Sequence, residues 1–334
     1  MDFRVRHRIF AATLCFLWDA RLPAQTTPPM PVFRVPVRLV VVPTLVFSGD
    51  GRLVHGLDAA NFHLFDEGHE QSVRLDTGRA PFSAAIVVQV SRGIHSYMPF
   101  IARTGSTFEA LFLGLTGEAA VLSYGDEVKT VKPFEGAIQP AIASLRATDL
   151  QARMFDAGIQ AVDLLKSRPP SRTRILVLIG QPLDVGSSAE FDALKLAAQA
   201  AAVTIFAVTL PQPGKPFVAD TFTAETLPGA ADRGGSMLTI DVGKLISVLN
   251  RRSQADKSDP FAMLAAATGG TQVFAAAQRE FEYGIASIGY QLRSAYQLSF
   301  HSTPGQPGYH ALRVEVDVPG AAVYSRPGYW HPAD

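Results

Sequence analysis

From residue 84 onward four apolar runs recur, AAIVVQV (84–90), EAAVLSYG (118–125), TRILVLIG (173–180) and VTIFAVTL (203–210), with stretches of helical character between them. Continuous apolar, β-branched runs are strands buried on both faces, and strands that alternate with helices give a mainly parallel sheet covered on both sides. The helical stretches include FIARTGSTFEALFLGL, AIQPAIASL, ARMFDAGIQAVDLLKSR and SAEFDALKLAAQAA. In the third, Met154, Phe155, Gly158, Ile159, Val162 and Leu165 fall three or four residues apart, which buries one face. Ser188 is expected to cap the fourth, with Glu190 and Asp192 in its first turn. FAMLAAATGG followed by TQVFAA reads as a helix, a glycine stop and an edge strand, and EFEYGIASIGYQLRSA reads as a last helix. Residues 211–259 break the rhythm with Pro, Gly, Asp and Arg and are expected to be an insertion, with one short helix at VGKLISVLNRR.

Both flanks of this α/β region have β character. FRVPVRLVVVPTLVFS (33–48) fits one or two strands, and NFHLFDEGHEQSVRL alternates around an EG turn. YQLSFHS, ALRVEVDV and AVYSRPGYW return to alternation at the other end. The economical arrangement is one small β-sandwich made from both segments with the α/β domain inserted between them. Tyr290, Tyr296, Tyr309, Tyr324, Tyr329 and Trp330 suit the packing of such strands.

The first residues place Arg4, Arg6 and Arg8 before an apolar run from Ile9 to Trp18 and small residues near Ala24, the order of a secretory signal peptide. The single cysteine, Cys15, lies in that run, so the mature chain is expected to lack disulfides, thiolate chemistry and cysteine-based zinc. The expected organisation is a signal peptide at 1–24, a linker at 25–32, sandwich segments at 33–80 and 296–334, and the α/β domain at 81–295. Thirty basic residues balance thirty acidic ones without a long run of either, so nothing points to nucleic acid. No later apolar stretch reaches the roughly 18 residues of a membrane span.

Motifs of catalysis are missing. The histidines at 55, 63, 69, 95, 301, 310 and 331 form neither HExxH nor a helical i, i+4 pair, and there is no G-x-S-x-G elbow or phosphate-binding loop. RGGS (233–236) and TGGT (268–271) are short glycine turns. His95 and Ser96 follow Ser91 closely, but no orienting acid or oxyanion motif accompanies them.

The order of FRVPVRLVVVPTLVFSGDGRLVHGLDAANFHLFDEG, LAAATGG, LRSAYQLSF and RVEVDVPGAAVYSRPGYW resembles the von Willebrand factor A-related (VWA) family of secreted bacterial proteins over nearly the whole mature chain. The resemblance implies a doubly wound, Rossmann-like sheet whose top face carries a metal-ion-dependent adhesion site: Asp-x-Ser-x-Ser after the first strand, a later Thr, and an Asp after the fourth strand. Magnesium needs such carboxylate and hydroxyl oxygens. Carried onto this chain, those positions fall on Gln89, Ser91, Gly93, Ala152 and Gln181, so two carboxylates and two hydroxyls are replaced. Arg92 adds a positive charge and could stand in the cation's position. A displaced metal site would have to use Asp149, Asp156 or Asp184; Asp156 is expected to make a structural hydrogen bond and Asp184 to belong to a loop turn.

The resulting expectation is a secreted, non-enzymatic protein-binding or assembly module without cofactor or metal. Its binding residues would be Gln89, Ser91, Arg92, Gly93, Ala152 and Gln181. A cation-dependent adhesin with displaced ligands and a purely structural module are the alternatives.

Overall fold

The computed structural model describes residues 38–76, 81–110, 117–212, 258–302 and 307–331. The leader, the linker and the expected helix at VGKLISVLNRR lie outside these residues. In chain order the strands are β1 (Arg38–Phe47), β2 (Phe62–Asp66), β3 (His69–Gln71), β4 (Arg74–Asp76), β5 (Phe82–Gln89), β6 (Glu118–Tyr124), β7 (Val128–Lys132), β8 (Thr173–Gly180), β9 (Val203–Thr209), β10 (Gln272–Phe274), β11 (Tyr296–Ser302), β12 (Gly308–Val316), β13 (Ala322–Ser325) and β14 (Gly328–His331). The helices are α1 (Met98–Arg103), α2 (Gly105–Phe108), α3 (Gln139–Ser144), α4 (Met154–Lys166), α5 (Phe191–Ala200), α6 (Pro260–Thr268) and α7 (Gln278–Ser294).

The central sheet has the order β10-β9-β8-β5-β6-β7, parallel except for β7. This is the doubly wound α/β sheet expected above. Residues 84–88 are fully buried, and their alternate side chains feed two separate clusters: Ala84, Ile86 and Val88 on one face, Ala85 and Val87 on the other. A strand with helices on both sides has no polar face to show, which explains its unbroken apolar run. The edge strand β7 carries Lys129 and Lys132 and runs antiparallel, and it has no apolar run of its own. The Lys132 amine turns inward and donates to the carbonyls of Ala119 (2.7 Å) and Pro133 (2.8 Å). Burial pushes that amine below the usual lysine range, against a smaller opposing pull from Glu109.

Two four-stranded antiparallel sheets, β13-β1-β11-β4 and β14-β12-β2-β3, come from the two flanking segments. They share one apolar cluster that includes Val40, Val42, Phe62, Leu64, Leu298, Phe300, Val314 and Tyr329. The 33–48 segment gives a single strand over its described part. Pro43 is tolerated inside it because β13 pairs only with residues 44–47, so at Pro43 the strand is paired on one side alone. AVYSRPGYW, a single tail by alternation, divides at Arg326–Pro327 into β13 and β14, which join different sheets.

One helix boundary departs from the expectation. Ser188 does not cap α5, which begins at Phe191 with Glu190 at the cap position. The backbone N–H groups of Ser188 and Ala189 instead donate to the Asp156 carboxylate on α4, at 3.0 and 2.8 Å, which holds them outside the helix. Asp156 thus makes the structural hydrogen bonds assigned to it from sequence. Gly158 on α4 lies so close to α5 that a Cβ there would sit 2.5 Å from Leu194 Cδ2. Among the described residues, no helix is long and apolar enough to cross a membrane.

Candidate functional site

The sheet order reverses between β5 and β8: the chain leaves β5 toward β6 on one side and resumes with β8 on the other. In open α/β sheets ligands bind in the crevice beyond the carboxyl ends of the strands at such a reversal. Gln89 closes β5 there, and Gln181 follows β8.

Gln89 is fully buried and Gln181 nearly so. The Gln89 Oε1 accepts the backbone N–H of Gln181 at 2.6 Å, and its Nε2 donates to Ser91 Oγ at 2.5 Å. The Gln181 Nε2 donates to the carbonyls of Pro211 (2.8 Å) and Gly93 (3.4 Å). One pair of amides therefore ties together the ends of β5 and β8, the turn at 91–93 and the start of the segment after β9. Two glycines leave room for it: a Cβ at Gly180 would lie 2.5 Å from Gln89 Oε1, and one at Gly93 would lie 2.6 Å from Gln181 Oε1. Tyr124, at the end of β6, also crowds Gly180; burial, reinforced by the Asp184 charge, pushes its phenol far up, so it stays neutral.

The neighbouring loops are pinned by backbone contacts. Ser91 forms a parallel bridge with Asp149, where Arg92 N donates to the Asp149 carbonyl (2.9 Å) and Asp149 N to that of Val90 (3.1 Å). Ala152 is buried and bridges Val185 in both directions, at 3.1 and 2.9 Å. Ala152 thus sits in the next loop contact rather than in the amide network. Arg92 does not stand in a cation's position: its side chain is exposed and its Nε donates to the Thr148 carbonyl at 3.0 Å, while Gln89 bonds Ser91 and the backbone of Gln181.

These residues do not fit a divalent cation. Ser91 supplies the one hydroxyl and no position supplies a carboxylate, while the Gln89 oxygen is taken by Gln181 N–H. Magnesium sheds its water only for a set of hard oxygen ligands that includes carboxylate charge. The displaced candidates have other work. Asp149 accepts from Asp126 N–H (3.0 Å) and the Thr148 hydroxyl (3.1 Å), and Asp184 accepts from Phe155 N–H (2.9 Å) and the Ser187 hydroxyl (2.6 Å) at the start of α4. Among the described residues, no group of three or more His, Cys, Asp or Glu is placed to hold a metal. Nor does a hydrolytic pair form, since Ser91 Oγ bonds Gln89 and no hydrogen bond joins it to His95.

Sequence reading missed two exposed aliphatic side chains beside this network, Leu150 (72% exposed) and Val185 (50%). No periodicity reports them, because both stand in irregular loops. It also missed Asp126, whose Oδ1 accepts from the N–H groups of Leu150 (3.1 Å) and Gln151 (2.8 Å) and so fixes the 149–152 loop.

No family model matches the chain, and no curated protein is significantly similar to it. Several solved structures are. A von Willebrand factor type A protein from Catenulispora acidiphila is 12% identical over 89% of this chain and 64% of its own, with a TM-score of 0.45. The SpRpn10 VWA domain is 12% identical over 40% and 77%, with a TM-score of 0.33. An aerotolerance-related membrane protein from Bacteroides fragilis NCTC 9343 is 11% identical over 64% and 98%, with a TM-score of 0.41. At such identities and TM-scores these likenesses assign no function.

Proposed function

We propose that this chain is an exported, non-enzymatic protein-interaction module that takes its partner on the face beyond β5 and β8 without a divalent cation. The observation that carries the reading is the closed network of Gln89, Ser91 and Gln181 at the point where the sheet order reverses. That is where a doubly wound sheet offers a ligand crevice. Here Gln89 bonds Ser91 and the Gln181 backbone while the buried Tyr124 hydroxyl beside them has no hydrogen-bond partner among the described residues, an arrangement that supports a binding surface better than a metal cage. The signal peptide at 1–24, the linker at 25–32, and the division into an α/β domain at 81–295 and flanking β segments at 33–80 and 296–334 belong to the same proposal.

Thermal melts in chelator and in millimolar magnesium, manganese or calcium test the reading. A cation held only by the folded state at a hundredfold excess over its Kd would add about 2.7 kcal/mol, a shift of several degrees. Superimposable melts are expected. A clear upward shift with any of the three ions would overturn the cation-free reading.

A further inference from the structure

One edge of β1 is only partly covered by the described strands. β11 pairs with β1 from Arg38 to Thr44 on one edge, whereas β13 pairs with the other edge from Thr44 to Phe47 alone. Alternation along the strand says which backbone groups this leaves. The Val46 C=O accepts the Val54 N–H at 2.9 Å, on the side away from β13, so the even-numbered residues turn their backbone groups toward β11. Leu39 and Val41 therefore turn theirs to the uncovered edge. Pro43 shares their parity and has no N–H to leave there.

The side chains of the same two residues also face outward. Val40 and Val42 join the apolar cluster between the two antiparallel sheets, while Leu39 is 53% and Val41 38% exposed. Further along the outer face, Leu45 and Phe47 are buried against Tyr290 and Tyr324. Proteins normally blunt an open strand edge with charge, proline or a bulge. Residues 39–42 read Leu-Val-Val-Val without a charge, and their register with β11 is unbroken; Pro43 closes only the inner end.

An extended strand is what such an edge accepts, and this edge fits itself. About a two-fold axis at Val40, Leu39 of one copy stands opposite Val41 of the other, and Val41 opposite Leu39. Every N–H and C=O that these two residues present at the edge then finds a partner. Nothing is asked of Pro43, no charge within residues 39–43 meets another, and the exposed aliphatic side chains of both copies meet on one face. The same patch serves both copies, as a closed two-fold contact requires. We propose that the chain pairs with a second copy of itself through residues 39–42 of β1, joining two sheets into one. The proposal concerns the flanking sheets and does not depend on the face beyond β5 and β8.

Sedimentation velocity of the purified protein over a rising concentration series reads the pairing, and a reversible monomer–dimer equilibrium is expected. Leu39→Glu sets a carboxylate beside an aliphatic partner and should raise the dimer Kd about tenfold or more. Leu39 is exposed, so this variant should melt like the parent. Val41→Pro removes an N–H that the monomer does not use in its sheet and should weaken pairing as well. Leu39→Glu/Val41→Lys should restore much of it, because the two introduced charges face each other between copies. The register is read by cross-linking in a Cys15→Ser background: a mixture of Leu39→Cys and Val41→Cys proteins should form disulfide dimers faster than either alone. A protein that stays monomeric at every concentration, a dimer indifferent to Leu39→Glu and Val41→Pro, or cross-linking no faster in the mixture would each overturn the proposal.

Discussion

The side-chain oxygen of Gln89 accepts the backbone N–H of Gln181 at 2.6 Å, joining two strand ends that are adjacent in the sheet and far apart in the chain. Both groups are buried, so neither can turn to water if the other is removed. Gln89→Met keeps the volume and loses both hydrogen bonds, which should cost about 1–3 kcal/mol in urea unfolding. Gln89→Ala adds a cavity and should cost about 2–4 kcal/mol. If Gln89→Met unfolds at the parental urea concentration, the amide is not the clamp described.

Glu118 gives the fold an acid-sensitive tie at the opposite end of the sheet. Arg168 binds it in two-pronged fashion at 2.7 Å twice, Ser83 donates to it at 2.6 Å, and Arg172 lies 3.1 Å away. Burial pushes the carboxyl up, but the hydrogen bonds from Arg168 and Ser83 and the charges of both arginines outweigh it and hold the folded value below the ordinary one. The stabilisation is therefore present above the unfolded carboxylate value, about 4.3, and is lost as pH falls through the folded one. Glu118→Gln should melt below the parent at pH 7, and the gap should narrow on acidification below about pH 4. A gap that stays constant down to pH 2.5 would contradict this assignment.

Asp259 accepts from the N–H groups of Phe261 (2.8 Å) and Ala262 (3.2 Å) at the start of α6, and also from the Gln272 amide (2.7 Å). Asp259→Ala should cost about 1–2 kcal/mol in chemical denaturation, while Asp259→Asn should recover most of the capping part.

Gly158→Ala sets helix propensity against packing. Ala is favoured over Gly in a helix interior by roughly 1 kcal/mol, but the added methyl meets Leu194 Cδ2 at 2.5 Å. Overpacking of about 1–3 kcal/mol should win, so the variant should melt lower. Combined with Leu194→Ala, the cost should be smaller than the sum of the two single variants' costs, because the two residues share one space.

What the sequence disclosed and what it concealed follow from how each feature is encoded. Runs such as TRILVLIG mark strands because a doubly covered strand is apolar along its length, and β8 falls on that run to the residue. The lysine-bearing VKTVK offers no such run, and its pairing is set by the β6 strand beside it. The helix at 154–166 was legible from its spacing, but the start of α5 was not, because Asp156, a residue of another helix, decides it. At the site, residue identities alone place Gln89, Ser91 and Gln181 at the strand ends; that the Gln89 amide accepts the Gln181 backbone N–H across them is a matter of three dimensions. Leu150 and Val185 were invisible for the same reason: exposure in an irregular loop leaves no period behind.

The pairing of β1 with β11 and β13 also bears on how the molecule assembles. Arg38 lies opposite Ser302, and Thr44 opposite Ser325, so the first described strand is made early in synthesis and must wait for nearly the last. The central sheet needs only the intervening chain and can close before either flanking sheet exists. Until then Val40, Val42 and Val46 have no neighbours to cover them. Such distant pairings form slowly, and an uncovered strand invites association with other chains. Among the described strands β1 waits for partners farthest along the chain, so its nascent form stays uncovered longest.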